Sequence, residues 1–472
     1  MSDWIADLAT LLGPGIVLTD DETLDARGHD RWVVSCLRDW LHAEGKGPKM
    51  PRSACVARPV SVEQVQAIVR FAGSRAIPVI PFGLGSGVCG GVVGDPHAIL
   101  LDLSGLNRVR AIDPVDLLAT FEAGCNGLAA EEAVAAQGLT IGHWPQSIAI
   151  SSVGGWVSTR ASGQFSTAYG NIEDMVYAID VVLPGGELVT LGKAPRASAG
   201  PDLRHIVMGA EGVMGVVTAV ILSLRRAAEH QAFSAFYAKD MDAGFEAQRE
   251  IVQAEWRPPV MRQYDASEVR RLFAAHAKDD QCLLIMVHEG PTARVEAELA
   301  AVKEIAARMG LSEADSAAAK DWLSHRNSVP DWSMFFKLGA IVDTIEVSGK
   351  WSDISNIYKD VIAALASIPN VLNASAHSSH VYRSGINIYC SFAYRPPELG
   401  DLEPRYFEAW DKALTATAAA GGGIAHHHGS GRLRRSYLHH DLGEGGVDLL
   451  RKLKTAVDPN GIMNPGNLLP PK

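Results

Sequence analysis

Apolar residues recur at two different periods along this chain. Near the N-terminus they fall three and four positions apart. Trp32-Val-Val-Ser-Cys-Leu-Arg-Asp-Trp-Leu41 and Val60–Ala72 both show this spacing, which predicts helices. Residues 1–50 read as largely helical. Short apolar runs bounded by Gly and Pro follow. Ala98-Ile-Leu-Leu-Asp-Leu103 has the length of a strand, and Val176–Leu191 predicts a hairpin turning at Pro184-Gly-Gly186. Gly209–Leu222 predicts a glycine turn entering a strand. From about residue 230 to 420 the two periods alternate. Helices are predicted at Thr292–Arg308 and Ser352–Ser367, and strands at Cys282–Val287, Ala340–Val347 and Ile386–Tyr394. Such alternation predicts an antiparallel sheet backed by helices. The end of the chain holds a histidine run, a helical Val447–Ala456 and the tail Asn464-Pro-Gly-Asn-Leu-Leu469.

The 472 residues suffice for two or three domains. With 47% hydrophobic and 21% charged residues, the composition is that of a soluble enzyme. A formal charge of −11, with no basic block, argues against a general nucleic-acid surface. Asp3 and Asp7 stand where a signal peptide needs cations, and no apolar run is long enough to span a bilayer. Cys36, Cys55, Cys89, Cys125, Cys282 and Cys390 are scattered, without a C-x-x-C pair. They read as reduced thiols, so a cytoplasmic location is expected.

Chemistry concentrates in Pro78-Val-Ile-Pro-Phe-Gly-Leu-Gly-Ser-Gly-Val-Cys-Gly-Gly91, where Gly83, Gly85, Gly87, Gly90 and Gly91 fall in nine positions. Glycines let successive amides converge on an anion, so the loop suggests a nucleotide cofactor. Gly85-Ser-Gly87-Val-Cys-Gly90 matches the dinucleotide fingerprint literally. That fingerprint needs a helix directly after the loop. Gly91-Val-Val-Gly-Asp-Pro96 cannot start one, and a strand is predicted next. The Rossmann reading is therefore rejected in favour of strand, loop, strand; a purely structural glycine turn is the alternative. A second concentration is His426-His427-His428. If that run is extended, His426 and His428 share one face and His427 points the other way. Proton transfer, a metal site and ordinary structural bonding all use such histidines. No acidic or cysteine ligand sits at a familiar metal spacing, so no metal is expected.

Together these segments resemble the vanillyl-alcohol oxidase family of flavoproteins, and within it most of all the alkylglycerone-phosphate synthase branch. The resemblance runs from about Gly28 to Leu469. It rests on Pro81-Phe-Gly-Leu-Gly-Ser-Gly87, Gly142-His-Trp-Pro-Gln-Ser147, Ser152-Val-Gly-Gly-Trp156, Thr159-Arg-Ala-Ser-Gly163, Tyr169-Gly-Asn-Ile-Glu-Asp174, Glu211-Gly-Val-Met-Gly-Val-Val217, Met261-Arg-Gln-Tyr-Asp265 and His426-His-His-Gly-Ser-Gly-Arg-Leu433. The resemblance implies an α+β fold: a two-lobed FAD-binding domain at 1–228, an antiparallel-sheet cap domain at 229–420, and a C-terminal segment, 421–472, that returns to the FAD domain. It implies FAD contacts from Pro81, Phe82, Gly83, Leu84, Gly85, Ser86 and Gly87. Further contacts would come from Pro145, Gln146, Ser147, Ser151, Thr159, Arg160, Ala161, Ser162, Glu211, Gly212, Val216 and Val217. Some relatives tether the flavin to a loop histidine; none lies between Pro78 and Gly94, so non-covalent FAD is expected.

The resemblance also places Tyr389 at the acid–base tyrosine of the synthase. It assigns catalytic roles to His426, His427 and His428, and matches Arg262 to a cap arginine that holds a substrate anion or braces the cap. Two positions depart from the pattern. Leu84 replaces a loop glycine. The synthase's substrate-binding arginine has no clear counterpart, because Trp332-Ser-Met-Phe-Phe-Lys-Leu338 offers only Lys337, a point charge in place of a bidentate fork. Arg326 and Arg383 are other cations available to an anionic substrate. The expected function is thus an FAD-dependent oxidoreductase acting on a small hydroxy acid or alcohol, the alternative being synthase-type transfer without net redox change. A small-molecule substrate is the expected partner, and a homodimer is compatible with the resemblance.

Overall fold

The computed structural model describes residues 3–471. In the first lobe, strands Cys55–Ala57, Ile99–Asp102 and Val79–Phe82 run parallel, with Val17–Leu18 antiparallel at the edge. Helix Val62–Arg75 covers this sheet. Ser61 caps it by accepting from the Gln64 amide, and Val65, Ile68, Val69 and Ala72 form its buried stripe. The next connection, from Phe82 to Ile99, returns parallel with no helix in it, as the rejection of the Rossmann reading requires.

The second lobe is a five-stranded antiparallel sheet: Val109–Asp113, Leu118–Glu122, Val216–Ser223, Val176–Val182 and Leu188–Leu191, in that spatial order. The predicted hairpin closes at Pro184–Gly186 through Leu183 N–H to Glu187 O, 2.9 Å. Val182 and Val216 pack into the core of the first lobe, which joins the two lobes beside the glycine loop.

The third unit is a seven-stranded sheet, antiparallel throughout. Its order is Ser312–Glu313, His230–Ala238, Cys282–Gly290, Val260–Tyr264, Val371–Tyr382, Gly385–Tyr394 and Ile341–Lys350. The Gly385–Tyr394 strand shows why it has two unlike faces. Ile386, Ile388, Cys390 and Phe392 enter the core shared with helices Ile354–Ala366 and Leu402–Ala419. Asn387, Tyr389 and Ser391 alternate with them and face the other way. The fold is therefore α+β, a two-lobed nucleotide-binding part joined to an antiparallel sheet.

The last residues return to the first lobe. Val79 N–H donates to Ile462 O and Asn464 N–H to Val79 O, both at 2.8 Å. All six cysteines are unpaired. No described helix is long and apolar enough to cross a membrane.

Candidate active site

A cavity of about 810 Å³ lies between the glycine loop and the polar face of the seven-stranded sheet. Among the described residues, the amides of Gly83, Leu84, Gly85, Ser86 and Gly87 donate to no protein acceptor. The loop carbonyls are occupied instead: Gly87 O accepts from Arg31 N and Cys89 O from Arg432 N. Gly85 and Gly90 hold φ near +70°, which turns the chain so that its amides remain free. Gly83 is required for closeness, since a Cβ there would come within 2.4 Å of Ser152 Oγ. These half-buried amides converge on the cavity with no protein acceptor, which is the arrangement that meets an anion. This donor set and this volume fit the pyrophosphate and ring system of FAD.

Sixteen of the nineteen expected cofactor residues line the cavity, from Pro81 and Gly83–Gly87 through Pro145–Ser147, Ser151, Thr159, Ala161 and Ser162 to Glu211, Gly212 and Val217. Phe82, Arg160 and Val216 do not. Phe82 is buried among Leu24, Val56 and Leu100 because strand alternation turns it away from the loop. Val216 alternates into the inter-lobe core. Arg160 pairs with Glu173 at 2.9 Å and lines a second cavity. Glu211 lines the first cavity, yet its carboxylate accepts from the amides of Ser430 (2.7 Å) and Gly431 (2.9 Å). Its charge thus fastens the C-terminal segment to the nucleotide-binding lobes.

Across the cavity, the sheet lines up one row of side chains. Tyr264, His377, Tyr389 and Glu346 are register partners on four adjacent strands. The His377 ring stacks on Tyr264 and Tyr389 at 5.0 and 4.9 Å. His377 Nδ1 meets Glu268 at 2.7 Å. The histidine run arrives on this row from the C-terminal segment, and it is not extended. The chain bends through all three residues, so the expected pairing of His426 with His428 on one face fails. His427 and His428 face the first cavity, while His426 faces the second. Tyr389 OH bonds His427 Nε2, and His427 Nδ1 faces His426 Nδ1 at 2.7 Å. His428 Nδ1 lies 2.8 Å from Glu346, which is also bound by Arg434.

Burial dominates the electrostatics. His426 is pushed down to about 4 and His427 well below its ordinary range, because burial strips away most of the water that would solvate an imidazolium. Both rings are neutral at physiological pH. Burial likewise raises Tyr389 and lifts Asp343, on the cavity wall, to about 6. Glu346 goes the other way, held well below the carboxylate range by Arg434 and His428 against the cost of burial.

Three arginines line the cavity without carboxylate partners among the described residues: Arg31, whose head donates to Pro330 O at 3.2 Å, Arg262 and Arg326. Arg262 is buried; its Nε donates to Tyr264 OH at 2.9 Å and its head lies over Trp322. Arg326 lies over Trp144 and Phe165, with its Nε buried and unbonded. Burial lowers the Arg326 pKa. Arg383 and Lys337 are elsewhere: Arg383 pairs with Glu255, and Lys337 is exposed outside the cavity. Sequence reasoning named Arg326 without a reason to select it, and it missed Glu346, Arg434, His377 and His380, whose ring lines the cavity 4.9 Å from that of His427. A lone Glu inside the apolar Ala340–Val347 run was the available signal for Glu346.

Residues 53–192 match the FAD binding domain family, and residues 227–468 match the C-terminal domain of FAD linked oxidases. The FAD-linked oxidoreductase YgcU of Escherichia coli K12 is 33% identical over 99% of this chain and 98% of its own. The alkyldihydroxyacetonephosphate synthase of Dictyostelium discoideum is 28% identical over 88% of this chain and 73% of its own. The glycolate oxidase subunit GlcD of Bacillus subtilis is 25% identical over 88% of each. A solved alkyldihydroxyacetonephosphate synthase superposes with a TM-score of 0.80 at 23% identity, covering 98% of this chain and 86% of that one.

Proposed function

This chain belongs to the FAD-linked oxidase family, and from that premise we propose that it oxidises a hydroxy acid, holding the substrate carboxylate between Arg262 and Arg326. The observation that carries this reading is that buried Arg262 and half-buried Arg326, whose Nε is buried and unbonded, both line this cavity and neither is ion-paired to a protein carboxylate. A buried cation left without a counter-charge is destabilising, so these positions are suited to a ligand that brings one. Charge-assisted bonds from two arginines would orient the hydroxyl carbon. Gly83–Gly87, Ser147 and Thr159 would hold FAD, which when bound accepts the hydride of the carbinol carbon. Tyr389 and His427 already share a hydrogen bond on the cavity wall, and they take up the hydroxyl proton. His428, anchored by Glu346, completes the wall beside them. The GlcD relative is named for oxidation of a hydroxy acid, which agrees with this assignment. The domain limits 1–228, 229–420 and 421–472 are proposed to be the functional units.

The synthase-type transfer remains the second reading, favoured by the histidine run and Tyr389 that the motifs share. One experiment separates them. The holoenzyme is mixed anaerobically with a panel of 2-hydroxy acids, and the oxidised flavin band is followed. Bleaching by a hydroxy acid is the expected result. No bleaching by any member, together with exchange of a fatty alcohol into an acyl-ketone phosphate, would overturn the oxidoreductase reading.

A further inference from the structure

The first cavity and the second are joined by an unbroken file of hydrogen-bonding side chains. It begins at Tyr389 OH, which bonds His427 Nε2. His427 Nδ1 meets His426 Nδ1 at 2.7 Å, and His426 Nε2 meets Tyr382 OH at 2.7 Å. Tyr382 OH in turn reaches Asn171 Oδ1 at 3.3 Å. Tyr389 and His427 line the first cavity. His426, Tyr382 and Asn171 line the second, a polar space of about 620 Å³ bounded by Arg160, Glu173 and Lys350. His426 and Tyr382 are only partly buried, so this end of the file meets solvent.

The contact between the two Nδ1 atoms constrains the rings. A neutral imidazole has one N–H and one lone pair, so one Nδ1 donates and the other accepts. The two histidines must therefore hold opposite tautomers. With the proton on His427 Nδ1, His426 carries its own on Nε2. Every donor then points the same way: Tyr389 to His427, His427 to His426, His426 to Tyr382. The spacing also argues against a metal here. One ring nitrogen from each of His380, His426 and His427 lies within 4.8 Å of the others. Two imidazole nitrogens bound tetrahedrally to zinc would stand ~3.3 Å apart, beyond the 2.7 Å of this hydrogen bond.

We propose that Tyr389, His427, His426 and Tyr382 form a proton wire that carries the substrate's hydroxyl proton out of the first cavity into the second, with Tyr382 as the exit group. This rests on the oxidoreductase reading above. The steps balance. The substrate O–H breaks as its proton joins Tyr389 oxygen, and the Tyr389 proton passes to His427 Nε2. The His427 Nδ1 proton passes to His426 Nδ1, and the His426 Nε2 proton to Tyr382, whose own proton goes to water in the second cavity. One proton enters and one leaves; the C–H electron pair departs with the hydride. Both rings end in the reversed tautomers, and reorientation of the rings and hydroxyls restores the donor order before the next proton passes. No imidazolium forms, which suits rings that burial keeps neutral.

Two measurements test the wire. The first needs no substrate. Nitrogen-15 NMR of the histidine-labelled holoenzyme, assigned by the signals lost in His426→Gln and His427→Gln, is expected to show His426 and His427 as opposite neutral tautomers. The same tautomer in both, a cationic ring, or stoichiometric bound zinc would overturn the proposal. The second is stopped-flow reduction of Tyr382→Phe with the hydroxy acid found above. Reduction is expected to slow by about 10-fold or more, with an enlarged solvent deuterium isotope effect and unchanged KM. An unchanged rate and isotope effect would refute the wire. If no hydroxy acid bleaches the flavin, the function reading fails while the NMR result still decides the wire's hydrogen-bond order.

Discussion

Replacing Glu346 by Gln removes one charge from a site where water cannot compensate. Glu346 and Arg434 are both 0% exposed in their side chains. The carboxylate accepts from Arg434 Nη1 at 2.7 Å, from Arg434 Nη2, from the His428 amide at 3.0 Å and from His428 Nδ1 at 2.8 Å. A glutamine keeps the shape and one acceptor oxygen. Its NH₂ then confronts donors, and the guanidinium stays charged over Trp410, left with uncharged acceptors alone: the Gly429 carbonyl at 2.8 Å, the residue 346 carbonyl at 3.5 Å and Cys89 Sγ at 3.7 Å. Breaking a buried pair on one side costs about 3–5 kcal/mol. Urea unfolding of the flavin-loaded protein should therefore show Glu346→Gln destabilised by that amount. The double variant Glu346→Leu, Arg434→Met removes both charges. It should recover most of the loss, because well-packed apolar replacements of such pairs are close to neutral. A single variant within about 1 kcal/mol of wild type would refute the reasoning, since that is the worth of an exposed pair. So would a double variant no more stable than the single.

Other consequences follow from the same geometry. Arg326→Met should lower kcat/KM for a hydroxy acid by about 10–100-fold, the loss of one charge-assisted bond, without altering FAD content; steady-state kinetics and absorbance check both. Arg160→Ala should leave FAD content unchanged, because its side chain serves the second cavity, and a flavin-to-protein ratio measures this. His143 is buried against Trp156 with both ring nitrogens unbonded, and burial lowers its pKa to about 3. Below pH 6.5 the unfolded chain protonates this histidine and the folded one does not, so stability falls toward acid by ~1.4 kcal/mol per pH unit. His143→Phe should therefore flatten urea-derived stability between pH 6 and 4.5 by about 2 kcal/mol relative to wild type. The opposing carboxyls Asp30 and Asp343, raised by burial to about 7 and about 6, are common to both proteins and cancel.

The local period of hydrophobicity by itself determined the elements and the helix-backed antiparallel sheet, while the two-lobed α+β class came from the motifs of the resemblance. Ile386, Ile388, Cys390 and Phe392 alternate with Asn387, Tyr389 and Ser391, and a strand with one core face and one polar face is the only regular way to satisfy both sets. Thr292–Arg308 needed no correction for the same reason. The glycine loop was legible too, because the need for free amides and close approach is written into the residue type itself. What the chain order could not show is which polar residues meet. Glu346, His377 and Tyr389 become one row only when three strands align in register, and Arg434 reaches Glu346 from 88 residues away. The bend that turns His426 into a different cavity from His427 lies just before the residues docked on Glu211, a contact spanning more than two hundred residues. Arg326 was one cation among many until the fold set it on the cavity wall without an ion-pair partner among the described residues. Local spacing sets backbone and burial pattern, whereas pairing, charge balance and proton connectivity belong to the tertiary structure, since each depends on distances between residues far apart in the chain.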